Sequence, residues 1–458
     1  MMKRSVGILC LAMTVLGFAA PSYAQNVPSV EWGIAKENFK VDTAGFTSPA
    51  SVISGGKVSA YVTCPKGTFT LTAYRMGYYA GIGAKEYWKS AALPCVEQSA
   101  QVIDPLTHMS ESHWQVSSSI PTTLLAPGFY LVKIDSSSGH QAYMTLTIRQ
   151  KSAAGTVVMV IPTMTSLAYD RWKGASAYHG ATGFSDRARV LSFNRPTDWG
   201  YGSGKYLNYV RPLLETADRL NLNIDFVTDV DVSMIPHLLD GARAYVSGGH
   251  DEYWTGVERT AIENARDGGT NLLFFGANVA YWQTRLSADG RTMTIYKSAV
   301  EDPNKVNPTI RFRDVKRPES VLTGQKYNCY PATGNFTIAD PSSFVFAGLK
   351  IKAGQQFAGF MGPEVDHMEV PTHFAGILHV IAQSQVTCGT SIQRSTTSDM
   401  VYGISPSGAG TISVGTMKWV ERGLTKDVPV ASYAFVSGVT KNILRAASIG
   451  PLGKKYSR

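Results

Sequence analysis

The sequence predicts two fold classes in series, an antiparallel β-sandwich followed by a doubly wound α/β unit. Short alternating segments recur from residue 25 to about 150, separated by Gly, Pro and Ser clusters, which is the spacing of an immunoglobulin-like sandwich. From residue 156 the pattern becomes β-α-β-α-β, which a doubly wound sheet requires. The length agrees, because 458 residues exceed one ordinary core.

Residues 1–24 read as a secretory signal. Lys3 and Arg4 form a basic start, residues 6–19 are apolar but too short to span a bilayer, and Ser22-Tyr23-Ala24 offers small residues for cleavage before Gln25. The expected location is therefore periplasmic or secreted, with no membrane span. Cys10 leaves with the signal, and Cys64, Cys95, Cys329 and Cys388 remain. An even number in an exported chain predicts two disulfides. Three pairings are open; if each domain closes its own, they are Cys64–Cys95 and Cys329–Cys388. No CxxC spacing supports zinc. The formal charge of +9 falls by the two of Lys3 and Arg4 to 9 − 2 = +7. It is dispersed, which suits loose contact with anionic surfaces, and no nucleic-acid motif accompanies it.

In the β domain, residues 25–150, strands are expected at 51–53, 57–63, 68–75, 113–116, 128–134 and 142–148. The stretch Tyr74 to Ala84, with Tyr74, Tyr78, Tyr79 and three glycines, reads as a wide ordered loop, either packed on the next domain or ordinary loop chemistry.

The second domain, 151–458, opens with the apolar run 156–162, which suits a strand buried on both faces. A helix is expected over 206–220, bent near Pro212. Then come a strand at 224–228, polar Asp229-Val230-Asp231, a helix at 235–239 and a strand at 242–246. The central loop follows: Ser247-Gly248-Gly249-His250-Asp251-Glu252-Tyr253-Trp254. After it, Thr255-Gly256-Val257-Glu258 has capping-box form and starts a helix over 257–266, stopped by Gly268-Gly269. A strand at 270–276 leads to Asn278. Residues 285–400 read as a β-rich insertion that holds Glu364, Asp366 and His367. A strand at 410–414 and a helix at 432–446 close the chain.

Ligands of α/β sheets bind at the carboxyl ends of strands. Here those ends carry Tyr169 and Asp170, then His250 to Tyr253, then Asn278. No GxSxG elbow, catalytic cysteine, Walker loop or convincing dinucleotide fingerprint is present. Tyr169, Asp170, Asp251, Glu252, Tyr253, Glu364 and Asp366 are hard oxygen donors, with His250 and His367 near them in sequence. Oxygen donors suit hard cations, and phenolates favour ferric iron. A metal-free acid/base pair is the other enzymatic reading.

Several ordered motifs carry a resemblance. Gly249 to Trp254 gives Gly-His-Asp-Glu-Tyr-Trp, and Tyr74 to Ala84 gives Tyr-Arg-x-Gly-Tyr-Tyr-x-Gly-x-Gly-Ala. Pro127-Gly128-Phe129-Tyr130, Gly362 to Asp366 and Gly415 to Trp419 follow. With these the chain resembles the large (beta) subunit of N,N-dimethylformamidase and its relatives, over nearly the whole mature length. The resemblance implies an immunoglobulin-like domain followed by a glutamine-amidotransferase-like (flavodoxin-like) α/β domain. It also implies mononuclear iron held by two tyrosines and a glutamate. By motif and spacing these fall on Tyr130, Tyr169 and Glu252, with Tyr253 the rival ligand, and acid/base or positioning roles fall on His250, Asn278 and Glu364. The expected substrate is a small amide. Two departures reshape the pocket: Ser166-Leu167-Ala168-Tyr169-Asp170 replaces a Trp-Gln-Ala-Tyr-Asn pattern, and Pro363 replaces an aromatic before Glu364. A homo-oligomer and a small partner subunit both stay open. The rival classes are an exported binding or surface-associated protein with an inert site, and a metal-free carboxylate hydrolase.

Overall fold

A computed structural model describes residues 31–369 and 377–457; the predicted signal, 1–24, lies outside the described residues. The chain is a mixed α/β protein rich in sheet.

The first third is all β. One sheet pairs Ala44–Ser48, Ser59–Thr63 and Ser118–Ser119. A second runs in the order Ser51–Ile53, Gln141–Arg149, Gly128–Ser136, Thr68–Met76, Ala84–Lys89. Alternate residues of these strands, among them Val62, Leu71, Val132 and Leu146, bury a common core. Cys64 and Cys95 form a disulfide with a Cα separation of 5.2 Å. The strand expected at 113–116 is not one. Its backbone groups go to side chains instead: Gln98 accepts from Gln115 N–H at 2.9 Å and donates to Gln115 O at 2.9 Å.

The larger sheet explains the rest. Five parallel strands stand side by side in the order Ile224–Thr228, Val157–Ile161, Ala244–Gly249, Asn271–Gly276, Gly410–Ser413. Arg394–Ile404, Ile377–Cys388 and Ala332–Gly334 continue it antiparallel. Much of the expected 285–400 insertion is thus an extension of the main sheet. Cys329 and Cys388 join there, Cα atoms 6.1 Å apart.

Every residue of Val157–Ile161 is buried, and the reason lies on both faces. Val157, Met159 and Ile161 share a cluster with Leu213, Val436 and Ile443 from the helices Arg211–Asp218 and Val430–Ile449. Val158 and Val160 share another with Ile262 and Ala265 from the helix Gly256–Asp267. A strand buried twice has no polar face, so its sequence cannot alternate. In chain order the parallel strands run 2-1-3-4-5. The order reverses between Val157–Ile161 and Ala244–Gly249, which opens a crevice at their carboxyl ends.

Helix boundaries differ from expectation in two places. The 206–220 helix is two, Tyr206–Tyr209 and Arg211–Asp218, because Pro212 cannot continue the ladder. The helix expected at 235–239 instead spans Asp229–Met234. Thr228 caps it and Asp231 closes the capping box.

The Tyr74–Ala84 stretch docks the β region on the α/β sheet. Tyr78 N–H donates to Asp218 Oδ2 at 2.7 Å, and Arg219 lies 4.1 Å from the Tyr78 ring. Tyr74, Met76, Phe129 and Leu131 join the same core as Met159 and Leu213.

Candidate functional site

The strand Ala244–Gly249 delivers the His250 loop to the crevice. Gly249 has φ +66°, and a Cβ there would stand 2.2 Å from Tyr209 Cδ1. Only glycine lets the chain turn against that ring. Beyond it, Asp251 parts from His250 and Glu252, which meet each other. Asp251 points inward, accepting from Ser247 Oγ at 2.7 Å and Trp254 Nε1 at 2.8 Å. His250 and Glu252 point the other way.

The short helix Thr163–Tyr169, after the first parallel strand, forms the opposite wall. Asp229 anchors its start by accepting from Thr163 Oγ1 and, at 2.7 Å, from Met164 N–H. Thr165 Oγ1 then accepts the backbone N–H groups of Glu252 at 2.9 Å and of Tyr253 at 3.1 Å. Tyr169, one turn on, donates its hydroxyl to Glu252 Oε2 at 2.6 Å.

A second tyrosine completes the group, and it is Tyr178. Its hydroxyl donates to Glu252 Oε1 at 2.6 Å and lies 3.5 Å from Tyr169 Oη. The backbone explains the meeting. Ala177 N–H donates to Ala168 O at 2.8 Å, so the next residues along each segment are Tyr178 and Tyr169. Ser176 Oγ holds the turn by accepting from Tyr178 and His179 N–H at 3.2 and 3.1 Å.

Tyr130 is not brought here. On its strand it faces the β core, its hydroxyl donates to Ala126 O at 2.7 Å, and its ring meets Tyr87. Tyr253 lies beside the cluster, its ring edge-on to those of Tyr169 and Tyr178, and its hydroxyl makes no hydrogen bond among the described residues. Asp170 turns away to Arg195.

His250 Nε2 stands 3.3 Å from Glu252 Oε2 and 3.4 Å from Glu364 Oε2, at ion-pair rather than hydrogen-bond geometry. Glu364 arrives because two sequence motifs pair. Gly362 N–H donates to Thr416 Oγ1 at 3.0 Å, Met417 N–H to Glu364 O at 3.2 Å, and Asp366 N–H to Gly415 O at 3.0 Å. Asp366 in turn takes Asn278 N–H on both carboxylate oxygens at 3.0 Å, which fixes Asn278 at φ +58°.

Electrostatics follow from burial and proximity. Burial and the Glu252 charge raise both phenols well above 10, so they are neutral donors in the metal-free protein. Burial alone would raise Glu252, but His250, Lys297 and Tyr169 hold it near 2. Burial would lower His250, yet the facing Glu364 and Glu252 lift it to about 9. Lys297 Nζ sits 3.0 Å from the Tyr178 ring centroid, and burial drives it well below its ordinary value. Lys205 Nζ lies 4.3 Å from the Tyr169 ring. His250 Nδ1 and Nε2, Tyr253 Oη, Asn278 Oδ1, Glu364 Oε2 and Lys297 Nζ are buried with no hydrogen-bond partner among the described residues. His250 Nε2 and Glu364 Oε2 answer each other by charge and Lys297 lies on the Tyr178 ring, which leaves His250 Nδ1, Tyr253 Oη and Asn278 Oδ1 for a polar ligand.

A cavity of about 360 Å³ is lined by Thr163, Ser166 and Leu167, on the helix whose Thr165 and Tyr169 meet Glu252. Glu252, His250 and Glu364 do not line it.

Fold and cluster together define an α/β protein with an oxygen-donor site at the carboxyl ends of its parallel strands. The chain belongs to the N,N-dimethylformamidase beta subunit-like family, whose C-terminal family model matches residues 70–428. No curated protein matches the chain.

Proposed function

We propose that this protein is an exported hydrolase that cleaves a C–N bond in a small amide, using mononuclear ferric iron held by Tyr169, Tyr178 and Glu252. One observation carries the reading: two phenols converge at 2.6 Å on the two oxygens of one buried carboxylate. The residues fit the metal. All donors are hard oxygens, and phenols raised by burial need a highly charged cation to ionise. Tyr178 takes the role that motif spacing assigned to Tyr130. When bound, iron polarises a carbonyl and acidifies water.

The chain's own groups do the rest. Glu364, beside His250, takes a proton from the attacking water and hands it to the departing amine. His250 holds the charge of both carboxylates in register and orients water. The Asn278 amide stabilises oxygen that gains charge. The 2-1-3-4-5 strand order supports an amidotransferase-like (flavodoxin-like) second domain after an immunoglobulin-like first, divided near residue 150. Among the described residues no helix is long and apolar enough to cross a membrane, and both disulfides are compatible with export. The family description as beta subunit-like makes a partner subunit a natural thing to test by co-purification.

The deciding test is metal analysis and a visible spectrum of protein purified without chelators. Near-stoichiometric iron with a phenolate-to-iron band supports the reading. No iron, and none gained on reconstitution, moves the assignment to a binding protein in which neutral phenols merely satisfy Glu252.

A further inference from the structure

We propose that the cavity between the N-terminal strands and the α/β sheet is a separate binding site for an amphipathic organic carboxylate. It has about 360 Å³, the size of a small-molecule pocket. Its floor is Ile161 to Thr163 and Thr228, the carboxyl ends of two adjacent parallel strands. Phe46 and Met144 from the β region, with Leu167 and Phe193 opposite, make its walls apolar.

Three guanidiniums line these walls, each with N–H groups to spare. Arg149 places Nε 3.0 Å from Asp231 Oδ1 and 3.1 Å from Ser51 Oγ, and neither Nη is hydrogen-bonded among the described residues. Arg195 uses Nη2 on Asp170 O at 3.0 Å and Nε, 3.3 Å from Asp170 Oδ2, leaving Nη1. Arg291 spends Nε and Nη2 on Asn194 Oδ1 at 2.9 and 2.7 Å, again leaving Nη1. On the acidic side, Asp170 and Asp231 are already paired. Asp289, exposed at the rim, accepts from Ser287 Oγ at 2.5 Å and from Arg291 N–H at 3.0 Å. Lys205 also lines the cavity, with its ammonium on the faces of Tyr169 and Trp199.

Cationic side chains thus outnumber acidic ones on a mostly apolar surface. Guanidinium N–H groups match a carboxylate, and the walls match a hydrocarbon body. The occupant would lean on Ser166 and Leu167, on the same short helix whose Thr165 and Tyr169 engage Glu252.

Calorimetric titration of the full-length exported protein tests this, with octanoate as probe and octan-1-ol, octylamine and inorganic phosphate as controls. Saturable one-to-one binding of octanoate is expected, with each control at least about tenfold weaker. Arg291→Leu should weaken octanoate about tenfold, and Ala50→Trp, which fills the cavity, should abolish binding. Glu252→Gln should leave it unchanged. No octanoate binding, or wild-type affinity in both cavity variants, overturns the site. Octanol or phosphate binding as tightly as octanoate overturns the ligand class. Loss in Glu252→Gln moves the probe to the other cluster and equally overturns the proposal. Because the readout is binding, it stands or falls apart from the iron assignment.

Discussion

Thr165 accepts the backbone N–H of Glu252 at 2.9 Å, tying the helix after the first parallel strand to the loop after the third. The same oxygen takes Tyr253 N–H. No motif marked Thr165, yet two buried amides depend on it. Thr165→Val should cost about 2–4 kcal/mol, the penalty of leaving two buried N–H groups unpaired, and should lower iron content. Thr165→Ser keeps the oxygen and should stay within about 1.5 kcal/mol of wild type. Denaturant unfolding reads both; an unchanged midpoint in the valine variant would sink the assignment.

The two candidate second tyrosines separate cleanly. Tyr178→Phe removes a donor at 2.6 Å from Glu252 and should strip most of the iron and the visible band. Tyr130→Phe loses one hydrogen bond to Ala126 O, worth about 1 kcal/mol, and should keep both. The opposite pattern in metal analysis would restore the motif-spacing assignment.

Glu364→Gln should retain iron and lose about 10²–10⁴ in turnover of a responsive amide, since the group that carries the proton from water to amine is gone while the donor oxygens stay. Glu252→Ala should lose metal and turnover together. Wild-type turnover in the first variant would remove Glu364 from the chemistry.

Acid stability should report Asp302. This buried carboxylate would be raised by desolvation, but Arg285, with both Nη groups at 2.8 Å, and Thr309 outweigh that and hold it near 2. Its folded value lies below the unfolded one of about 4, so the native state binds fewer protons. Its contribution, about 2–3 kcal/mol, is therefore complete above pH 4 or so and lost as pH falls towards 2. Asp302→Asn should be less stable at neutral pH and show a flatter decline below pH 4. An unaltered slope in unfolding at stepped pH would contradict this.

Local signals were legible wherever one segment carried them. Thr255 and Glu258 form the expected capping box, and the helix they start ends at Gly268. Thr228 and Asp231 use the same device, but Asp in place of Glu or Gln hides it, so that helix was expected too late in the chain. Glu252, Tyr169 and His250 were legible because strand ends collect ligands. Tyr178 was not, because its loop lacks periodicity and only the pairing of Ala177 with Ala168, a contact made in three dimensions, brings it in. The 285–400 region looked like an insertion because its long strands are antiparallel and partly exposed, and so lack the apolar run of the central ones.

The pairing of Gly362–Asp366 with Gly415–Trp419 has an evolutionary consequence. Tyr169 and Glu252 hang on the sheet's own strand ends, whereas Glu364 rides on a segment anchored beside the sheet by bonds to Gly415–Met417 and by the buried Phe360, Met361 and Val365. Such a segment can drift in length and composition while the anchor residues keep its end in place. On the proposed reading, this segment could change which molecule meets Glu364 without rebuilding the oxygen donors of Tyr169, Tyr178 and Glu252, so substrate choice and metal chemistry would be separable.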